Sequence, residues 1–351
     1  MSESGIGERK GDHIDLAARG DVGFRVNATL FSCVKLVHEA LPDLHADAID
    51  TGVTLLGKRL RAPLVIAAMT GGIPRAESIN RELAAIAEAR GYGFGLGSQR
   101  AMHVDAAKGS TYRVREVAPT ALVLGNLGLV QARALPTSAI AELVAAIGAD
   151  ALCVHLNPAM EIVQPGGDRD FAAGEETLAR LARELPVPVV AKETGCGVSA
   201  ATARRIRRAG VRHLDVSGAG GTSWVAVEMH RAAGAERALG EALREWGIPT
   251  AASVALCAPV GFDGLIATGG VATGLDVARA LALGAHAAGI ARPVLQALLD
   301  GGREGAERYL AGVEAELRAV MLLVGARDVA ALRRAPRVVT GELAEWIAQA
   351  R

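Results

Sequence analysis

From about residue 62 the chain repeats one pattern: a short apolar run, a loop rich in Gly or polar residues, then an amphipathic stretch rich in Ala, Leu, Arg and Glu. The runs are Pro63 to Met69, Tyr92 to Gly97, Ala121 to Gly125, Ala151 to His155, Val187 to Lys192, His213 to Ser217, Leu265 to Gly269 and Ala285 to Ala291. Helical periodicity covers Ala76 to Ala89, Ser199 to Ala209 and Asp276 to Leu283 between them. Alternation of this kind favours a parallel sheet, because each helical crossover returns the chain in the same direction. Eight units predict a closed (β/α)8 barrel. Periodicity alone also fits an open doubly wound sheet, but polar residues follow many different runs here, as when one barrel face collects every βα loop.

The expected organisation is a leader over 1–61, a barrel over 62–302 and closing helices over 303–351, with Glu307 to Val324 amphipathic and Gly341 to Ala350 terminal. No stretch is rich enough in Pro, Gly or Ser to separate independently folding domains. With 351 residues, half of them hydrophobic, the chain can bury a large core. The 38 Lys and Arg balance 38 Asp and Glu without a basic block, which argues against a nucleic-acid groove or a polybasic membrane tether. No apolar signal region opens the sequence and no apolar stretch is long enough to span a bilayer, so a cytoplasmic enzyme is expected. Cys33, Cys153, Cys196 and Cys257 lack any paired metal spacing and read as reduced, mostly buried thiols.

The chemistry sits at the ends of the runs. Ala67-Ala68-Met69-Thr70-Gly71-Gly72 offers small residues for close approach to a planar ligand. Gly97-Ser98-Gln99-Arg100 sets hydroxyl, amide and guanidinium donors beside one another, a set suited to a phosphate. Asn126 ends the third run, where taken alone it reads as a turn former. The fourth ends in His155-Leu156-Asn157-Pro158-Ala159-Met160-Glu161, polar groups crowded onto a buried strand end, and reads as an active-site rim. Lys192 ends an apolar run and is expected to point into the barrel mouth, where a fixed cation stabilises anionic charge; an ion pair to Glu193 or another carboxylate is the alternative. The segment Ser217-Gly218-Ala219-Gly220-Gly221-Thr222 can expose backbone amides in a nest, with two hydroxyls added. Thr268-Gly269-Gly270 and Gly289-Ile290-Ala291-Arg292-Pro293 follow the last two strands, the common phosphate site of such barrels. A phosphate-bearing cofactor is expected there.

In these residues the chain resembles the FMN-dependent type 2 isopentenyl-diphosphate delta-isomerases. The likeness covers nearly its whole length, from Arg9-Lys10-Gly11-Asp12-His13 through His38-Glu39-Ala40-Leu41-Pro42 and the strand ends to Gly284–Arg292. It implies a TIM barrel in a homotetramer or homo-octamer, with reduced FMN as acid/base, Mg²⁺ on the diphosphate and NADPH as reductant, interconverting isopentenyl and dimethylallyl diphosphate. FMN contacts are implied at Ala68, Met69, Thr70, Ser98, Asn126, Lys192, Ser217, Thr222, Gly269, Gly270, Ala291 and Arg292. Prenyl diphosphate contacts are implied at Arg9, Lys10, Ser98, Gln99, Arg100, His155 and Asn157, with Met160 facing the substrate and Glu161 as the magnesium ligand. Lys192, His155 and Asn157 are the implied catalytic residues. On this reading the leader is a lid that folds over substrate and not a frayed tail.

Two positions depart from the family pattern. A glutamine precedes the magnesium glutamate in the family, whereas this chain has Met160, whose thioether is a weak acceptor and no donor. Ala272 stands where many relatives carry arginine, which shifts the flavin phosphate toward backbone amides and Arg292. Met160 keeps open a divergent FMN enzyme acting on another prenyl substrate or performing net redox chemistry. A 2-hydroxy-acid oxidase would need His and Arg near the sixth strand end, and an inosine-monophosphate-dehydrogenase-like barrel a cysteine there; Ser217 to Trp224 supplies neither. A non-catalytic scaffold would purify without a yellow cofactor.

Overall fold

A computed structural model describes residues 3–350. Eight parallel strands close into a barrel in chain order: β1 (Leu64–Ile66), β2 (Gly93–Gly95), β3 (Leu122–Gly128), β4 (Ala151–Leu156), β5 (Val189–Glu193), β6 (His213–Asp215), β7 (Gly264–Ala267) and β8 (Ala287–Ile290). Each lies within one of the eight apolar runs or overlaps it by a few residues, and the ring closes where Ile290 registers with Ile66. All eight are buried along almost their full length, so period-2 alternation is absent and the runs read as continuous hydrophobe.

Local chemistry fixes the helices between them. Pro74–Arg90 starts with proline at its first position and ends at Gly91 in the left-handed conformation, where a Cβ would lie 2.6 Å from Arg61. Gly274–Ala282 opens on a full capping box between Thr273 and Asp276. The helix Arg292–Leu323 is interrupted at Gly301 and Gly302, which separates the barrel's eighth helix from the amphipathic segment beyond it.

The first sixty residues are not one unit. The helix Glu3–Arg19 lies across the C-terminal mouth of the barrel. Val34–Leu36 pairs antiparallel with Arg337–Val339, tying the leader to the chain's last turns. The hairpin Val53–Leu55/Lys58–Leu60 plugs the opposite end, inserting Leu55 and Leu60 against Val65, Leu122, Leu124 and Ile266. Burying each of these leucines contributes ~1.5–3 kcal/mol. Lys58 anchors the plug on Asp150 at 2.8 Å. All four cysteines are free thiols, and no helix among the described residues is long and apolar enough to cross a membrane.

Candidate active site

A cavity of about 510 Å³ opens at the C-terminal ends of the strands, beneath the N-terminal helix. Every candidate residue read from the sequence lines it except Gln99. Barrel geometry accounts for the convergence: residues just past eight parallel strands must share one rim.

The half formed after β6, β7 and β8 is built mainly from backbone. Gly269 and Gly270 sit at φ 100° and 71°, and a Cβ on Gly269 would lie 2.1 Å from Gly218 O, so only glycine lets these loops stack. Ser217 is held at φ 38°, unusual for a side chain with a Cβ. Its carbonyl accepts from Gly195 N at 2.8 Å and Gly197 N at 3.1 Å, which keeps it there. The N-terminus of the helix that begins at Arg292 adds amides to this half of the rim. Arg292 Nε is buried with no hydrogen-bond partner among the described residues, and so is Thr194 Oγ1; both residues line the cavity. Left-over donors beside a glycine-lined cradle and a helix N-terminus fit a flavin phosphate, and the small residues Ala67 and Ala68 leave room for a planar ring.

Strand register builds the centre. His155 pairs with Lys192 across β4 and β5, and Lys192 with Asp215 across β5 and β6, so the three occupy one rung. Lys192 Nζ lies 3.1 Å from Asp215 Oδ2 and donates to Glu193 O at 3.1 Å. Thr268 Oγ1 donates to the other Asp215 oxygen. The ammonium is therefore both in the mouth and paired, and its partner is Asp215, not the Glu193 carboxylate. Glu193 turns away, accepting from the amides of Cys196 and Gly197, and burial pushes its carboxyl up to about 8. His155 Nδ1 donates to Asn126 Oδ1 at 2.7 Å, leaving Nε2 as the free ring nitrogen. Burial first, then Lys192 and Arg100, lower His155 to about 4, so the ring is neutral at pH 7.

Glu161 is the one carboxylate among the described cavity residues. The helix Pro158–Val163 carries it, and three donors orient it: Asn157 Nδ2 at 2.8 Å on one oxygen, Gln164 Nε2 at 3.1 Å and Asp168 N at 2.8 Å on the other. No group of three or more His, Cys, Asp or Glu able to cage an ion occurs among the described residues. A lone oriented carboxylate fits Mg²⁺ that keeps its waters and takes diphosphate oxygens, and does not fit a zinc-type site. Met160 Sδ lies 3.9 Å from Asn157 Nδ2 and lines the cavity beside Glu161.

The N-terminal helix brings cations to this half. Lys10 Nζ donates to Gly71 O at 2.5 Å, Tyr112 Oη at 3.0 Å and Ser98 O at 3.3 Å. Burial, then Arg9, Lys108 and Arg100, lower its amine to about 7. His13 Nε2 meets Glu228 Oε1 at 2.7 Å, and Arg231 Nη1 donates to the other oxygen of that fully buried carboxylate at 2.7 Å.

Gln99 corrects the sequence reading. Its side chain is 1% exposed, accepts from Asn126 N at 3.2 Å and donates to Leu143 O at 2.8 Å, so it braces β3 and does not line the cavity. The neighbouring Ser98 and Arg100 do face the cavity. Sequence reasoning missed His13, Phe24, Gln131, Thr194 and Trp224 on the cavity wall, and Asp215 behind Lys192. A carboxylate ending an apolar strand was the available signal for Asp215; Glu228, one charge within a helix, gave none.

The pattern of the FMN-dependent dehydrogenase family matches residues 5–161 and 156–339. The isopentenyl-diphosphate delta-isomerase of Methanopyrus kandleri is 45% identical over 344 residues, covering 97% of this chain and 94% of that one. That of Xanthobacter autotrophicus is 45% identical over 345 residues, covering 96% and 98%. Among solved structures, mandelate oxidase carrying a monooxide FMN adduct superposes with TM-score 0.65 at 19% identity, over 93% of this chain and 95% of its own. Mandelate oxidase with (S)-mandelic acid gives 0.65 at 17%, over 97% and 99%. Those structures bear on the fold alone, whereas the two delta-isomerases match this chain at 45% identity over nearly its whole length: the chain belongs to the FMN-dependent isopentenyl-diphosphate delta-isomerase family, and is an isomerase.

Proposed function

We propose that the enzyme interconverts isopentenyl and dimethylallyl diphosphate, with FMN in its reduced form and Mg²⁺ on the diphosphate. The observation that carries this reading is the division of one cavity into a glycine-built cofactor half and a cationic half around a single oriented carboxylate. The reaction gains a proton at one end of the allylic unit and loses one at the other, without net redox change. Reduced FMN supplies the acid/base pair for those transfers when bound. Lys192, balanced by Asp215, would supply a fixed positive charge to an anionic flavin, and Asn126 fixes His155 in one orientation. Arg9, Lys10, Ser98 and Arg100 neutralise and orient the diphosphate, and Asn157, Gln164 and the Asp168 amide hold Glu161 toward the ion. The lid helix covers the cavity and excludes water from the exchanging protons. The assembly state, the cytoplasmic location and NADPH as electron source belong to the same proposal.

Anaerobic turnover of isopentenyl diphosphate by enzyme with chemically reduced FMN, followed by NMR, tests it. Dimethylallyl diphosphate should appear with no oxidation of flavin. No conversion by flavin-loaded, reduced enzyme would overturn the reading in favour of the divergent one that Met160 keeps open. In that case Met160→Gln should confer the activity.

A further inference from the structure

The lid is fastened to the barrel at several places, and one of them is the cofactor half. Beyond Arg19 the chain from Gly20 to Phe24 lies along the loop after β6. Ser223 N donates to Val22 O at 2.7 Å, Phe24 N to Gly221 O at 3.3 Å, and Gly23 bridges Thr222. Two side chains from the helix that begins at Arg292 hold carbonyls at the lid helix's C-terminal end. Arg292 Nη2 donates to Gly20 O at 2.9 Å and Gln296 Nε2 to Ala18 O at 2.8 Å. A helix end buried against protein needs such partners, because its last carbonyls have none within the helix. Arg292 thus holds the lid with one nitrogen while lining the cofactor cavity, its Nε buried and without a partner among the described residues.

We propose that Arg292 couples cofactor loading to lid closure. It rests on the FMN reading above. The guanidinium is a rigid planar fork, so an anion on one edge fixes the direction of the other. The phosphate monoester of FMN, seated by the amides at that helix start, orients Arg292 toward Gly20 O and with it the hinge of the lid. Arg9 and Lys10 are then presented to diphosphate only in flavin-loaded protein, which makes Arg292 a positioning residue for the substrate as well as a cofactor contact. Linkage makes the effect mutual, so a docked lid strengthens FMN binding by the same factor.

Hydrogen exchange over residues 9–24, read by mass spectrometry, tests the coupling in protein stripped of flavin, saturated with riboflavin, and saturated with FMN, with flavin occupancy read from visible absorbance. We expect at least roughly tenfold slower exchange with FMN than in either other state. Arg292→Lys, whose single nitrogen cannot serve both partners, should bind FMN more weakly and leave the segment unprotected at full occupancy. Equal protection in all three states, or protection by riboflavin matching that by FMN, would overturn the coupling. If FMN binds and isomerisation proceeds with exchange unchanged, the coupling falls and the functional reading stands; failure to bind FMN at all would remove both.

Discussion

The two halves of the cavity are built by different means. The half after β6 to β8 uses backbone: paired glycines, a helix N-terminus, and a strained Ser217 pinned by two amides. The opposite half uses side chains drawn from distant segments, with Arg9 and Lys10 from the lid, Ser98 and Arg100 after β2, His155 at the end of β4, and Asn157 and Glu161 after it. A backbone site is rigid and tolerates few substitutions, since a Cβ on Gly269 or Gly270 would press on a neighbouring loop. A side-chain site is adjustable, and this is the half that carries Met160.

The seam between the halves is the Lys192–Asp215 pair, both residues buried, so its disruption should have the largest effect. Asp215→Asn leaves a buried ammonium without its counter-charge and should cost ~3–5 kcal/mol in denaturant unfolding. A loss under about 1 kcal/mol would mean that other groups balance Lys192 and that the rung is not the organising element. On the side-chain half, Glu161→Gln should reduce Mg²⁺-supported turnover by ~100-fold, about 2.7 kcal/mol of barrier, while flavin content stays unchanged. Loss of flavin from that variant would break the division into a cofactor half and a substrate half.

The division also explains what could be read in the sequence. Glycine pairs at strand ends announced the cofactor half, because a backbone site is local and leaves its mark in consecutive residues. His155, Asn157 and Glu161 were legible for the same reason, being one strand end and one short helix. Gln99 lies off the cavity because neighbours in sequence need not share a face: its side chain turns into the wall to brace Asn126 and Leu143, between two residues that face the cavity. The Lys192–Asp215 contact depends on strand register, and the His13–Glu228 contact joins positions 215 residues apart, so neither leaves a local pattern. The leader read as one lid, but its hairpin floors the barrel, since Leu55 and Leu60 are two ordinary leucines until the barrel interior is there to receive them.

Gln99→Leu sharpens the comparison by asking whether the side-chain half has its own scaffold. Loss of the amide leaves Asn126 N and Leu143 O without partners and should cost ~1–3 kcal/mol of stability, with KM for the diphosphate within about twofold of wild type. Arg100→Ala should do the reverse, raising KM with little change in stability. A tenfold rise in KM for Gln99→Leu at unchanged stability would return Gln99 to the substrate.

The smallest effect is a proton count. Burial lowers Lys10 to about 7 from an ordinary 10.5, so lid docking is most favourable at high pH and weakens as pH falls through that interval, where the undocked amine is protonated and the docked one is not. A bound diphosphate reverses the sign, because an adjacent anion raises the amine again. Binding of inorganic pyrophosphate at about pH 7.5 should therefore take up roughly half to one proton at Lys10, read as the dependence of calorimetric enthalpy on buffer ionisation heat. Pyrophosphate and His155 titrate as well, so the quantity that decides is the difference between wild type and Lys10→Met. A positive difference places the lid amine on the diphosphate. No difference would mean that Lys10 stays with Gly71, Ser98 and Tyr112 and serves only to fasten the lid, leaving Arg9 and Arg100 as the cations of the side-chain half.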